Sequence, residues 1–196
     1  MQKFATAGIT PANPSVIEPG FDSTIVQFFP AVLGPGFQLP ATTPATLLIP
    51  ANGTKNGVPF TVRASGNLYV HGTSPTINFQ LCNGTALAGS PPVNNVISTL
   101  TSAQSLSTGA TYPFAFNATL QGDSTSGVVQ VTNATFYCNG VSGTLTNTDL
   151  TGISFGGPGF PAPAGGGAAL SLVFGLKFGV ADALDTASLL SFYAEA

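Results

Sequence analysis

Tryptophan is absent from this chain of 196 residues, histidine and methionine occur once each, and cysteine occurs twice. Charge is scarce: four basic and seven acidic side chains make up 6% of the sequence, against about 25% in an ordinary soluble domain. Lys3, Lys55, Arg63 and Lys177 form no cluster that would neutralise a row of phosphates, which excludes nucleic-acid binding by counterion release. A membrane-surface role through a polybasic patch fails for the same reason. The longest apolar stretch, around residues 168–176, is too short for a membrane span and then meets Lys177. No apolar run follows Lys3, so no secretory signal is expected, and the product is expected to be made in a cytoplasm. Cys82 and Cys138 form no Cys-x-x-Cys pair; free thiols in a reduced compartment are expected, with a mutual disulfide as the alternative.

The apolar complement, by contrast, is full. Hydrophobic residues reach 43%, with 15 Phe, 24 Gly and 16 Pro. A domain of this size removes roughly 70% of its unfolded surface from water, enough for a core without staples. Low charge with this apolar content excludes a disordered tail, a coiled coil and a solvated helical bundle. Thr, Ser and Asn supply most of the polarity. The Asn-x-Thr triplets at Asn52, Asn83, Asn117 and Asn133 match glycosylation sequons, but in a chain so rich in Asn and Thr they read as chance.

Residues 1–44 differ from the rest. Pro11, Pro14, Pro19, Pro30, Pro35, Pro40 and Pro44 recur too often for a helix or a central strand. The same segment carries Ile25, Val26, Phe28, Phe29, Val32, Leu33 and Phe37. It reads as an extended Pro-rich N-terminal arm that lies either on its own sandwich or on a neighbouring subunit, with Phe28, Phe29, Val32 and Leu33 as candidate anchors. The remainder, 45–196, reads as one β-sandwich domain.

From residue 45 onward the hydrophobic period is two. Phe60, Val62 and Ala64 alternate with Thr61, Arg63 and Ser65; Ile77, Phe79 and Leu81 alternate with Asn78 and Gln80. Tyr112, Phe114, Phe116, Ala118 and Leu120 form a third stripe, and Leu170, Leu172, Phe174, Leu176, Phe178 and Val180 the longest. Each predicts a half-buried antiparallel strand. Further strands are expected at 45–49, 67–71, 94–100, 127–138, 142–148 and 187–194. Turn signals lie at Asn52-Gly53, Ser65-Gly66, Asn83-Gly84, Gly122-Asp123 and Asn139-Gly140. The fold class is therefore all-β: an antiparallel β-sandwich of jelly-roll type. Gly34-Pro-Gly-Phe37 and Gly157-Pro-Gly-Phe160 echo each other and read as turns pinned by a Phe; 156–167 reads as a long surface loop.

Constellations that would carry chemistry are thin. A Ser/His/Asp triad would need His71, and Gly122-Asp123-Ser124 lacks the strand–turn–helix setting that exposes a nucleophile. Asp182 and Asp185 read as a loop and turn pair outside any Asp-rich ligand loop. His71, Cys82 and Cys138 are scattered, so no metal site is expected. Gly157–Ala162 formally fits G-x-G-x-x-A, but its prolines rule out a dinucleotide turn. No catalytic residue, cofactor or metal is expected, and the chain is read as a non-enzyme.

Four stretches carry a family resemblance: 59–66 (PFTVRASG), 72–81 (GTSPTINFQL), 112–124 (YPFAFNATLQGDS) and the ending 174–196. Together they resemble virion structural proteins of tailed bacteriophages, specifically the small β-sandwich proteins that decorate or cement the capsid exterior. The resemblance spans most of 58–196 and leaves the arm uncovered. It implies a non-enzymatic, multimeric particle component on the capsid exterior, made in the host cytoplasm. Its implied partners are copies of itself and the major capsid protein; a trimer is expected because jelly rolls share apolar edges around a three-fold axis, and the scarcity of charge leaves no nucleic-acid or membrane partner expected. A host-binding head- or tail-fibre tip module is the alternative. A carbohydrate-active or lectin-like sandwich is disfavoured by the missing Trp platform and carboxylate pair.

Overall fold

A computed structural model describes residues 2–17, 26–34, 37–38, 43–50, 58–72, 76–83, 95–101, 106–123, 128–140, 143–145, 160–161, 170–180 and 182–196. These form fifteen strands and, among the described residues, no helix. The first six are β1 (Lys3–Thr6), β2 (Ser15–Ile17), β3 (Gln27–Phe28), β4 (Val32–Gly34), β5 (Phe37–Gln38) and β6 (Thr46–Ile49). The long strands follow: β7 (Pro59–Val70), β8 (Ile77–Asn83), β9 (Asn95–Thr101), β10 (Ala110–Asp123) and β11 (Val128–Gly140). The last are β12 (Gly143–Leu145), β13 (Phe160–Pro161), β14 (Leu170–Phe178) and β15 (Thr186–Glu195).

All pairings among the described residues are antiparallel. An eight-stranded sheet has the order β1-β15-β7-β10-β11-β12, with β2 also on β15 and β13 also on β11. A five-stranded sheet has the order β3-β14-β8-β9, with β6 also on β14. β4 and β5 make a separate two-stranded pair in which Gly34 meets Phe37; Pro35 and Gly36 of the expected turn lie outside the described residues.

Period-two patterning fixes which faces meet. In β7, Phe60, Val62, Ala64, Leu68 and Val70 are buried while the residues between them reach the opposite face. β10 buries Tyr112, Phe114, Phe116, Ala118 and Leu120, and β11 buries Ala134, Phe136 and Cys138. Phe79 and Phe174 of the smaller sheet interleave with Phe114, Phe116, Phe136 and Phe192 of the larger. Phe174 lies at the centre, its ring centroid 5.0 Å from Phe116, 5.8 Å from Phe79 and 6.1 Å from Phe192. Ring pairs at this spacing add to the burial of large apolar area. One continuous aromatic core thus welds the two sheets into a sandwich.

Gly122-Asp123 and Asn139-Gly140, read as turns, are the ends of β10 and β11, and β13 falls within the stretch 156–167 read as a loop. Two further local features depart from the sequence reading. Ser65-Gly66 is not a turn, because β7 runs straight through it. A Cβ at Gly66 would overlap the Ser188 carbonyl oxygen and lie 2.8 Å from the Phe114 ring, so glycine is there to let β15 approach. Opposite it, β15 carries a bulge: Leu189 pairs with Gly66 and Ser191 with Ser65, leaving Leu190 as the extra residue. That extra residue resets the alternation, so Leu189 and Phe192 both point into the core. The second departure is Val180. β14 ends at Phe178, and Val180 stands exposed in the bend beyond it instead of continuing the apolar stripe.

Three strands of 1–44 join the edges of the sandwich, while β4 and β5 stand apart from it as their own pair. β1 pairs with one end of β15 and β2 with the other, both capping the larger sheet's edge. β3 pairs with β14 in the smaller sheet, and the Ser15 hydroxyl donates to the Pro30 carbonyl between the two segments. The segment continues through paired backbone: Phe29 N–H donates to the Phe174 carbonyl, the Phe29 carbonyl accepts from Ala45, and Ala31 N–H donates to Thr43.

Candidate functional site

The four anchor candidates separate sharply. Phe29 is wholly buried and stacks on Phe174, ring planes 3° apart and centroids 6.1 Å apart. Phe28 points the other way, onto the outer face of the smaller sheet, where it packs with Val26, Cys82 and Val173 as a second small apolar cluster. Gly175 makes the room, since a Cβ there would lie 2.7 Å from the Phe28 ring and 2.6 Å from the Gln27 carbonyl. Val32 is half-buried on β4, and Leu33 beside it is 67% exposed. Both phenylalanines are therefore spent on their own sandwich, and Leu33 is the anchor candidate left facing outward.

Asp182 and Asp185 are joined by His71, 111 residues from Asp182 in sequence. Asp185 is buried and accepts from the His71 backbone N–H at 2.8 Å and the Asp182 backbone N–H at 3.2 Å. Asp182 Oδ1 accepts the Leu184 N–H at 2.9 Å and lies 3.2 Å from His71 Nδ1. Desolvation raises the Asp185 carboxyl above the usual aspartate range, and Asp182 reinforces the shift, while the two N–H donors and His71 oppose it. Backbone donors thus engage both Asp185 carboxylate oxygens and Oδ1 of Asp182. The cluster ties the β14–β15 connection to the end of β7, as the loop-and-turn reading of these aspartates expects. No sequence pattern links His71 to them; only the pairing of β15 with β7 does.

The three scattered metal-ligand types stay scattered. His71 is exposed at the sandwich end, Cys82 lies in the outer cluster of the smaller sheet, and Cys138 lies in the main core. Both cysteines are free and buried, and burial pushes each thiol up to about 12. Among the described residues no group of three His, Cys, Asp or Glu side chains is placed to hold a metal ion. Ser124 lies outside the described residues, as do 157–159 and Ala162; Asp123 is the last residue of β10.

The outer face of the larger sheet runs across β15, β7, β10 and β11. Its rows follow from strand register. Tyr193, Arg63, Asn117 and Thr135 lie side by side, and Ser191, Ser65, Ala115 and Tyr137 form the next row. Arg63 pairs with Glu195 through Nε and donates from Nη1 to Asn117 Oδ1 at 3.0 Å. Lys3 Nζ sits 3.8 Å from the Tyr193 ring centroid. Ser65 and Ser191 hydroxyls bond each other at 2.7 Å. Arg63 and Glu195 thus neutralise each other, Lys3 keeps its charge over an aromatic ring, and the two rows are otherwise Thr, Ser, Asn, Ala and Tyr. A soluble sheet face left permanently in water ordinarily carries dispersed charge instead. The strand reading placed these residues on one face; their mutual neutralisation was hidden, because Arg63 and Glu195 are 132 positions apart. Neither a protein-family model nor a curated protein sequence matches this chain.

Proposed function

We propose that this chain is a non-enzymatic structural protein of a phage virion, decorating or cementing the outside of the capsid. The observation that carries the reading is the wide, charge-poor outer face of the larger sheet, where Arg63 and Glu195 pair with each other. Such a face binds through extended shallow contact, and avidity across a lattice of copies then supplies the affinity.

Strand order supports a jelly roll beneath that face. The chain changes sheet from β6 to β7, from β7 to β8, from β9 to β10 and from β14 to β15, while β8–β9 and β10–β11 are neighbours within a sheet. Leaving out β11–β13, the sheets read β1/β2-β15-β7-β10 and β3/β6-β14-β8-β9, the interleaving of two Greek keys. β11, β12 and β13 then widen the larger sheet. A trimer is the expected assembly, because such sandwiches close readily about a three-fold axis. The arm at 1–44 would contribute edge strands to its own subunit and present Leu33 outward.

The test is co-sedimentation of purified protein with capsid shells stripped of it. Saturable binding at lattice stoichiometry is expected, and failure to bind shells of the phage that encodes it overturns the reading. A host-binding fibre tip draws on a different observation, the exposed Val180 and Leu184 around the β14–β15 connection, because loop ends are where receptor contacts concentrate. Binding to host cells but not to capsid shells would select that alternative.

A further inference from the structure

We propose that the outer face of β15, β7, β10 and β11 is the surface through which copies of this chain pack on one another. The inference rests on the multimeric reading above and adds which face meets which occupant. Electrostatics point to a second copy. A heterologous partner is usually steered by a field of one sign meeting its opposite. Here Arg63 is paired with Glu195 and, in the rows described, Lys3 over the Tyr193 ring is the one cation left, too little field to steer a partner of opposite charge. The hydroxyls and amides between them, such as Ser65, Ser191 and Asn117, offer donors and acceptors alike. Such a surface can meet its own copy about a two-fold axis with little like-charge repulsion, a contact separate from the three-fold one of the expected trimer.

Area agrees. Four strands at about 4.8 Å spacing, with ten or so residues each at about 3.3 Å, give roughly 600 Å² of flat face before side-chain relief. That approaches the roughly 800 Å² per partner of a standard stable interface. Tyr137 is 44% exposed on this face and Tyr69 is exposed at its end, and tyrosine is among the side chains enriched where proteins meet. Ala115 lies between Ser65 and Tyr137 in the middle row, so a charge introduced there falls within the proposed contact.

Sedimentation velocity across a hundredfold range of protein concentration tests the assignment on four forms: the native chain, Ala115→Glu, Tyr137→Glu and Leu48→Glu. Leu48 is exposed on β6 of the smaller sheet and serves as the control. The native chain and Leu48→Glu are expected to sediment as the same oligomer. Ala115→Glu and Tyr137→Glu are expected to dissociate at concentrations at least tenfold higher, with the strand-type circular dichroism spectrum retained. Tyr137→Glu keeps the test decisive if Ala115→Glu does not fold, because its side chain already projects into solvent. Oligomers unaffected by either substitution overturn this face while leaving self-association intact, and dissociation of Leu48→Glu alone moves the contact to the smaller sheet. A native chain that stays monomeric throughout overturns self-association itself. If that monomer binds capsid shells and the two face variants do not, the occupant is the capsid protein and the assignment to a second copy is wrong.

Discussion

Replacing Phe29 by alanine separates an arm that belongs to the core from one that merely lies on a surface. Phe29 is fully buried, stacks on Phe174, and is held by backbone hydrogen bonds to Phe174 and Ala45. Truncating a buried Phe to Ala costs about 3–5 kcal/mol, from lost transfer energy and the cavity left behind. For a domain of this length each kcal/mol lowers the melting temperature by about 2–4 °C, so a drop of roughly 6–20 °C is expected. Leu33→Ala, four residues on and 67% exposed, should stay within about 0.5 kcal/mol and therefore within about 2 °C. Differential scanning calorimetry at one fixed chain concentration reads both, since self-association makes the melting temperature depend on concentration. Phe29→Ala melting within about 2 °C of the native chain would refute the placement of this residue in the core. A Leu33→Ala loss as large as that of Phe29→Ala would show that the exposed side of the arm carries folding energy as well.

Deleting residues 1–34 removes β1 to β4 together with buried Ile9, Ile17, Phe28 and Phe29, and is expected to abolish cooperative unfolding by calorimetry. Gly66→Ala forces a methyl group against the Ser188 carbonyl, which is rigid backbone, and should cost at least about 1–3 kcal/mol by urea denaturation. Both thiols, raised to about 12, should resist Ellman's reagent at pH 8 in the native protein and titrate together after denaturation; rapid native labelling would contradict their burial. The raised Asp185 carboxyl binds its proton more tightly folded than unfolded, so its contribution is full below the ordinary aspartate pKa and is lost as pH rises through the folded value. The stability of the native chain relative to Asp185→Asn should therefore improve as pH falls from 7 toward 4, and a difference that moves the other way would refute this.

Strand identity was legible wherever burial is one-sided. In β7, β8, β10 and β11 the alternation of apolar and small polar residues is the physical signature of a face in the core and a face outside it. β14 shows where that signal ends. Its inner face was plain from Leu172, Phe174, Leu176 and Phe178, but Val173 and Gly175 are buried too, under Phe28 and Val26, and nothing local announces a cover supplied from 145 or so positions away. Gly66 was misread because glycine after serine is a turn signal, whereas here it answers to the steric demand of a neighbouring strand. The bulge at Leu190 was invisible for a similar reason: it adjusts register between β15 and β7, a property of the pair. The polar features follow the same rule. His71, Asp182 and Asp185 were each singled out, yet their hydrogen bonds depend on β15 lying beside β7. Arg63 and Glu195 became a neutral pair only through that same adjacency. The arm's apolar residues were identified, but their destination was left open between self and neighbour. Phe28 and Phe29 both land on their own sandwich, Phe29 in the core against Phe174 and Phe28 on the outer face of the smaller sheet over Gly175.

The central claim is that this chain is a repeated structural component of a virion, and the number of copies in each particle tests it most directly. Quantitative mass spectrometry of purified particles, referenced to the major capsid protein, gives that number. A lattice-bound decoration protein is expected on the order of hundreds of copies per particle, because its attachment follows the symmetry of the shell. Tens of copies or fewer would contradict decoration and point to a fibre tip, and absence from the particle would contradict a virion role altogether.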